Sequence, residues 1–283
     1  LMALALCLTL LPTAALAADS NHTASDHADT TKFTKLWMKA DGTLMKGTNE
    51  WTTSEVTLYR GKVSAYVLET GKYYLDSNLD FTGNATQYAI VISGNVTLCL
   101  NGYSITCTDK EGVICVHADE CQSLTLTDCK GSGKIIGGTY AAVDVRNGKT
   151  FNMYGGTLTG GSTGYGVYVN AGGSEPTTFN MYDGKIIGDS DIKTTGVRLE
   201  GLQLKFNMSG GTISSNMGRG VLVQGGTFTM SGTATITGNT ADREGGGVYM
   251  SGGTFTMKDG ATITGNTAGT NGGGVYMANG TFN

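Results

Sequence analysis

The chain has 283 residues and a formal net charge of −4, and it contains 45 Gly but only 2 Pro. Glycine at about 16%, with so little proline and no three-residue period, excludes collagen, and a hydrophobic content of 39% excludes a wholly disordered chain. The weakly acidic balance offers no basic surface, so we expect no nucleic-acid partner.

The first 17 residues are predicted to form a secretory signal peptide. An apolar run ends at Pro12, and Ala15-Leu16-Ala17 is typical of a signal cleavage site. The usual basic n-region is missing, which predicts that the sequence is clipped at this end. We therefore expect the protein to be secreted or located at the cell surface.

Two segments precede the regular part of the chain. Residues 18–35 are polar and predict a flexible leader, and residues 36–75 combine Trp and Tyr with polar turns, which predicts an N-terminal β capping region. The leader contains side chains that suit zinc, but a solvated tail is the simpler interpretation and we assign no metal ligand there. These side chains are His22, Asp26, His27 and Asp29.

Residues 76–283 are dominated by a repeat. Similar segments start at residues 96, 124, 151, 179, 206, 228, 255 and 282. A fixed period of this length indicates a solenoid, a propeller or an array. Each period holds three short β runs separated by Gly turns. A period of about 27 residues is too short for a propeller blade, which needs roughly 40–50 residues. We predict an all-β fold, a right-handed single-stranded parallel β-helix with three short strands per rung of about 27 residues.

The alignment of the repeats predicts the interior. The Phe and Met positions of the first strand should stack from rung to rung as core ladders, because alternate strand residues face the same side. These ladders consist of Phe151, Phe179, Phe206, Phe228, Phe255, Met153, Met181, Met208, Met230 and Met257. A valine column on the third strand should lie beside them, beginning with Val113 above Val143.

Two groups of residues carry a resemblance to a known family. Tyr73-Tyr74-Leu75 and the segment Val96–Ile105 resemble the first rungs of secreted bacterial right-handed β-helix surface proteins of the pectin-lyase-like superfold. The segment Ile236-Thr237-Gly238-Asn239-Thr240-Ala241 and its copy at 263–268 are similar to repeats of polymorphic outer-membrane proteins and adhesins. The resemblance covers residues 66–283 and implies the fold more than any chemistry, because this fold hosts lyases, hydrolases, tailspikes and adhesins.

Catalytic patterns of that superfold are not evident in the sequence. The outward positions of the third strand offer a single carboxylate, Asp144, and place Arg198 two rungs away. A calcium site needs six or more oxygen ligands, and His117 has no matching pair of carboxylates. The segment Gly131-Ser132-Gly133-Lys134 lacks the remaining residues of a phosphate loop. We assign no catalytic residue and no cofactor.

Three outward tyrosines are candidates for a glycan-binding surface, because aromatic faces stack on sugar rings. They are Tyr168, Tyr249 and Tyr276. Tyrosine is also an ordinary residue of exposed strands, so a structural role is the alternative.

Five cysteines remain after the predicted signal peptide. Cys99 and Cys129 should project outward from neighbouring rungs, about 8 Å apart on a diagonal, which is beyond the reach of a disulfide. We expect mostly free thiols, with Cys115–Cys121 as the exception.

These observations favour a secreted or cell-surface β-helix stalk or adhesin-like module that is non-catalytic and binds a host or cell-wall polysaccharide or a surface protein. The alternative is a fragment of a polysaccharide lyase or glycoside hydrolase, and a third interpretation is the passenger of an autotransporter. Phe282-Asn283 opens a new rung, which predicts a β-helix truncated at its C-terminal end and prone to end-to-end self-association.

Overall fold

A computed structural model describes residues 23–58, 61–83, 87–162, 164–189 and 192–283. The predicted signal peptide lies outside the described residues. The described residues are all-β except for a 3-10 helix over Ala24–Ala28.

The strands of the first half are β1 (Thr34–Met38), β2 (Leu44–Lys46), β3 (Asn49–Glu50), β4 (Ser54–Leu58), β5 (Gly61–Leu68), β6 (Gly71–Leu75), β7 (Leu79–Asp80), β8 (Tyr88–Ile92), β9 (Asn95–Cys99), β10 (Ser104–Cys107), β11 (Gly112–Val116), β12 (Ser123–Thr127), β13 (Lys134–Gly137), β14 (Ala141–Arg146) and β15 (Thr150–Met153). Those of the second half are β16 (Thr157–Gly160), β17 (Tyr165–Asn170), β18 (Thr177–Met181), β19 (Lys185–Ile187), β20 (Thr195–Glu200), β21 (Leu204–Met208), β22 (Thr212–Ser214), β23 (Val221–Met230), β24 (Thr235–Thr237), β25 (Thr240–Ala241), β26 (Val248–Met257), β27 (Thr262–Thr264), β28 (Thr267–Ala268), β29 (Val275–Met277) and β30 (Thr281–Phe282).

The strands form a parallel β-solenoid of about eight turns, which confirms the predicted fold class. One parallel sheet consists only of second strands, in the order β27-β24-β22-β19-β16-β13-β10-β7. The first and third strands belong to a single larger sheet because β23 and β26 each run on from a third strand into the next first strand. We name the three stacks by their inward residues: the Phe stack (first strands), the Ile stack (second strands) and the Val stack (third strands).

The Phe stack follows the register that the repeat spacing predicts. Phe151 pairs with Phe179, and the same pairing continues turn by turn to Phe255 and Phe282. Neighbouring rings lie nearly parallel with centroids 4.6–5.0 Å apart. These distances match the strand spacing in a sheet, so each ring contacts the ring of the next turn directly.

The Phe stack and its methionines form an apolar part of the interior. Solvent hardly reaches the stacked phenylalanines from Phe151 to Phe255, or the stacked methionines from Met153 to Met230. Met257 is partly buried. Burying one such side chain contributes about 1.5–3 kcal/mol, and a single turn has no partner for it. The fold is therefore stable only as a stack of several turns.

The N-terminal segment joins the solenoid directly. Strand β1 pairs in parallel with β6, and β6 pairs in parallel with β9 of the Phe stack. Strand β5 pairs in parallel with β8 of the Val stack and forms an antiparallel hairpin with β4. Parallel pairing thus begins before residue 76, and β1 covers the edge that β6 would otherwise leave open.

The Val stack corrects one predicted alignment. The valines of successive turns pair one with the next, as predicted, through Val143, Val167, Val197, Val221, Val248 and Val275. At the first position, however, Val143 pairs with Ile114 rather than with Val113. The alignment was wrong by one residue because the run from 112 to 116 is apolar throughout, so alternation could not identify its inward side. The shift places Cys115 beside Asp144 on the outer face.

A buried ladder of asparagines continues from the Ile stack. Asn216 donates from Nδ2 to Oδ1 of Asn239 at 2.8 Å, and Asn239 donates to Oδ1 of Asn266 at 2.8 Å. Asn239 and Asn266 also donate within their own turns, to the carbonyls of Thr237 at 3.3 Å and Thr264 at 3.1 Å. The left-handed conformation belongs to the preceding glycines, Gly238 (φ 65°) and Gly265 (φ 62°), and the asparagines tie the turns together inside.

Candidate functional site

A cleft of about 720 Å³ lies on the outer surface, over the Val stack. The strands β8, β11, β14, β17 and β20 supply its floor, and the β4–β5 hairpin supplies one wall through Leu58, Lys62 and Val63. The principal side chains of the floor are Tyr88, His117, Tyr140, Arg146, Tyr168 and Glu200.

Asp144 is the centre of the hydrogen-bond network under the cleft. Arg146 donates from Nε to its Oδ1 at 2.7 Å and from Nη2 to its Oδ2 at 2.6 Å. The hydroxyl of Tyr88 donates to Oδ2 at 3.0 Å, and Nε2 of His117 lies 3.1 Å from that hydroxyl and 3.5 Å from Oδ2. Asp144 is only 1% exposed, so it orients the three side chains without itself facing a ligand.

The two ends of the Asp144–Arg146 pair stabilise each other's charge. Burial by itself would raise the pKa of Asp144, but the hydrogen bonds from His117 and Arg146 outweigh it and hold that pKa below its ordinary value. Burial by itself would lower the pKa of Arg146, yet the hydrogen bonds to Asp144 raise it above its ordinary value. Both groups are therefore charged at neutral pH.

Tyr168 lies at the centre of a layer of tyrosine and arginine side chains. Its ring is covered by the guanidinium groups of Arg146 at 5.0 Å and Arg198 at 5.8 Å, and the ring of Tyr140 meets it edge-on at 4.9 Å. Its hydroxyl donates to Oε2 of Glu200 at 2.9 Å, and burial raises its pKa. Tyr168 is 4% exposed, so this outward residue supports the cleft rather than presenting an open ring face.

Arg198 completes this layer from the next turn. It donates from Nη1 to the hydroxyl of Tyr165 at 2.6 Å, and its Nη2 lies 2.9 Å from Oε2 of Glu200. The guanidinium also lies 5.4 Å from the centre of the Tyr165 ring. The guanidinium groups of Arg146 and Arg198 thus pack among the rings of Tyr140, Tyr165 and Tyr168.

The other two candidate tyrosines lie elsewhere. Tyr249 and Tyr276 stack on adjacent turns with centroids 5.6 Å apart, and the guanidinium of Arg219 lies 4.2 Å from the centre of the Tyr249 ring. On the outer face of the Val stack, Tyr168 pairs with Arg198, Arg198 pairs with Leu222, and Leu222 pairs with Tyr249, so two turns lie between Tyr168 and Tyr249. The structure therefore does not bring the three tyrosines into one surface, and neither Tyr249 nor Tyr276 lines the cleft.

Sequence reasoning missed most of this network. Asp144 and Arg146 face the same side of β14 because they are two residues apart, and that spacing was the available signal. The repeat pattern could not predict the role of Tyr88, because its side chain crosses over Gly112 to reach Asp144 on the second turn along. A Cβ atom at Gly112 would lie 2.8 Å from the Tyr88 ring, so only glycine leaves room for this crossing.

The polar leader is not arranged as the sequence suggested. His22 lies outside the described residues. Asp26 accepts a hydrogen bond from the backbone of Thr23 at 2.7 Å, and Asp29 pairs with Lys32 at 3.0 Å. His27 is instead buried against the solenoid, where its ring stacks on Tyr74 with centroids 4.2 Å apart.

The side chains of the two outward cysteines approach each other more closely than expected. The Sγ atoms of Cys99 and Cys129 lie 3.3 Å apart, although a regular diagonal predicted about 8 Å between their positions. Cys129 lies beyond the end of β12, in a turn where the carboxylate of Asp128 accepts hydrogen bonds from Gly102 and Gly133. That turn carries Cys129 back toward Cys99, so the sheet diagonal does not apply. In the described residues all five cysteines are free thiols.

No protein-family model matches this chain, and neither a curated protein nor a solved structure matches it. Among the described residues, no helix is long and apolar enough to cross a membrane.

Proposed function

We propose that this chain is a secreted or cell-surface β-solenoid module that binds a neutral glycan in the cleft over the Val stack. The observation that carries the proposal is the layer of tyrosine and arginine side chains around Tyr168, in which Arg146 is held in place by Asp144. The predicted signal peptide at residues 1–17 supports export, and the solenoid provides a rigid stalk.

The size of the cleft suits an oligosaccharide. Its volume of about 720 Å³ falls in the range of roughly 300–1,000 Å³ that is usual for small-molecule sites. The partly buried ring of Tyr140 offers apolar surface, while Asn170 and Glu200 offer hydrogen-bonding groups. Sugars need this combination, because each ring has an apolar face and a rim of hydroxyl groups.

The charges of the cleft favour a neutral ligand. Lys62 and Arg146 line it together with Glu111 and Glu200, so cations and carboxylates balance. Arg146 is moreover neutralised by Asp144 and Arg198 by Glu200. A polyuronate would need uncompensated positive charge, which this balance does not supply.

The same pairs argue against the lyase or hydrolase alternative. An arginine acts as a base only when it has lost its proton, and the hydrogen bonds to Asp144 raise the pKa of Arg146. A glycoside hydrolase uses two carboxyl groups at the scissile bond. Asp144 is buried with both oxygens in hydrogen bonds, Glu200 is paired with Arg198 and Tyr168, and Glu111 accepts a hydrogen bond from Gln87. Binding without cleavage is the function that this geometry supports best.

A binding titration with matched variants tests the proposal. Neutral and uronic-acid oligosaccharides are titrated into the full chain by calorimetry, alongside Tyr140→Ala and the control Tyr276→Ala. We expect saturable binding of a neutral oligosaccharide, weakened about tenfold or more by Tyr140→Ala and unchanged by Tyr276→Ala. The absence of binding across the set, or equal effects of the two variants, would contradict the proposal.

The same samples distinguish a binder from an enzyme. After incubation with neutral polysaccharides and with polygalacturonate, with and without calcium, we expect neither new reducing ends nor unsaturated products. Cleavage that Tyr140→Ala reduces would instead support the enzymatic alternative.

A further inference from the structure

A cluster of soft donor atoms lies on the outer face of the Phe stack, away from the cleft. The Sγ atoms of Cys99 and Cys129 and one imidazole nitrogen of His27 all lie within 4.8 Å of one another. Cys99 and His27 are buried and Cys129 is partly buried. Within the described residues this is the one group of three such donors that is close enough to share an ion.

Each donor is held in place by a separate part of the fold. Cys99 belongs to the parallel ladder, where it pairs with Thr127 of β12. Cys129 is positioned by the turn that Asp128 ties together through its hydrogen bonds to two backbone amides, at 2.8 and 2.6 Å. The cluster therefore joins two consecutive turns of the solenoid.

His27 is delivered from the N-terminal segment. Its imidazole stacks on Tyr74 at an interplanar angle of 8°, and the ring of Phe33 meets it edge-on at 5.4 Å. Tyr74 is also the register partner of Cys99. The aromatic stack therefore places the imidazole beside the first cysteine, although His27 and Cys99 are 72 positions apart in the chain.

We propose that His27, Cys99 and Cys129 bind one Zn²⁺ ion. Two thiolates and an imidazole are a donor set that zinc prefers, with a tetrahedral arrangement and bonds of about 2.3 Å to sulfur and about 2.0–2.1 Å to nitrogen. Those bond lengths place the two sulfurs about 3.8 Å apart, so the observed 3.3 Å needs only a small adjustment.

The fourth position is open to water or to a neighbouring amide. Oδ1 of Asn101 lies 3.6 Å from Sγ of Cys129, and the side chain of Asn101 is anchored by a hydrogen bond from its Nδ2 to the carbonyl of Leu75 at 2.9 Å. Because the site combines one ligand from the N-terminal segment with two from the solenoid, bound zinc ties Ala24–Ala28 to the rod. Metal binding and the ordering of this segment are then coupled.

The competing state is a disulfide between Cys99 and Cys129. It would engage only the two sulfurs, whereas a zinc ion would engage all three donor atoms of the cluster. The two states differ in composition and spectrum, so a single set of experiments separates them.

Cobalt substitution tests the site directly. The full chain is purified with a phosphine reductant, stripped of metal and titrated with Co²⁺, followed by Zn²⁺. We expect one equivalent of Co²⁺ to produce a thiolate charge-transfer band and the visible bands of tetrahedral coordination, and we expect Zn²⁺ to abolish both. Hydrogen exchange of residues 24–28 should slow on addition of Zn²⁺.

Matched variants assign the ligands. His27→Ala and Cys99→Ser should each weaken Co²⁺ binding at least tenfold and remove the zinc-dependent protection of residues 24–28. Cys107→Ser is the control, since Cys107 is a buried thiol whose neighbour is Asp109 rather than this cluster, and it should bind Co²⁺ as the parent does.

Two results would overturn the proposal. One is a Cys99–Cys129 disulfide in unreduced protein that was purified in the presence of zinc, detected by peptide mass spectrometry. The other is a cobalt spectrum without thiolate bands, or one that His27→Ala leaves unchanged. The outcome does not depend on whether the cleft binds a glycan.

Discussion

The turns beneath the cleft and the last turns of the solenoid use the same interior but different exteriors. From β23 to β26, Thr, Phe, Thr and Met at 227–230 pair with the identical residues at 254–257. On the outer face of the Val stack, by contrast, Cys115, Asp144, Tyr168 and Arg198 follow one another at a single register position. Inward positions are constrained because each side chain must pack on its copy, whereas outward positions are free to differ and can build a site.

In the last turns of the solenoid, buried polar groups also have a structural role. The asparagine ladder there repeats with the turns, and each amide bonds to the asparagine of the next turn. In the cleft, the polar groups bond to unlike partners, as Asp144 does with Tyr88 and Arg146. Repetition therefore indicates a stabilising role, and a departure from repetition indicates a candidate binding role.

The largest expected effect is in the shared interior. Phe228 contacts rings on both sides, with centroids at 4.7 and 4.6 Å, so Phe228→Ala leaves a cavity in three turns at once. We expect a loss of about 3–5 kcal/mol in the free energy of unfolding, measured by urea denaturation. Thr229→Ala, on the opposite side of β23, should change it by less than about 0.5 kcal/mol. Equal losses would refute the inward assignment of Phe228.

A smaller effect is expected in the buried ladder. Asn239 donates to the carbonyl of Ile213 at 3.1 Å and bonds to the asparagines of both neighbouring turns. Asn239→Ala leaves these buried partners unsatisfied, so the free energy of unfolding should fall by about 1–3 kcal/mol. The control Asn207→Ala removes an exposed amide from the outer asparagine ladder on the Phe stack, where Asn207 donates to Oδ1 of Asn180 at 2.8 Å. If both variants have the same stability, the buried ladder contributes nothing beyond the outer one.

The most localised effect concerns pH. Because the folded-state pKa of Asp144 lies below its ordinary value of 3.8, its stabilising contribution is complete above that value and is lost as the pH falls through the folded-state pKa. Asp144→Asn should therefore be less stable than the parent near neutral pH, and the difference should shrink in acid. Thermal melts from pH 7 downward measure it. Asp183→Asn, in an exposed turn, is the control, and a difference that stays constant with pH would exclude this linkage.

The fold was predictable because its signal is periodic. Recurrence of Phe-x-Met at 151, 179 and 206 establishes the strand register, since identical residues can stack only if the turns are in phase. The one error in the Val stack, at Val113, arose where every residue from 112 to 116 is apolar and alternation carries no information. Periodic pattern predicts register only where polar residues mark the other face.

The sites were not predictable in the same way. The cleft depends on Tyr88 crossing over Gly112 to reach Asp144, and the proposed zinc site depends on a turn after β12 that brings Cys129 to Cys99. Neither event follows from spacing along the chain, because both occur where a side chain or turn leaves the regular ladder.

The sequence by itself determined the parallel β-solenoid, its period and its aromatic interior, because stacking energy between identical residues depends only on their recurrence. Only the tertiary structure decided which unlike residues meet, such as His27 with Cys99 and Cys129, or His117 with Asp144. Such contacts depend on loop paths and on side-chain reach between turns, and many sequences with the same period would place them differently.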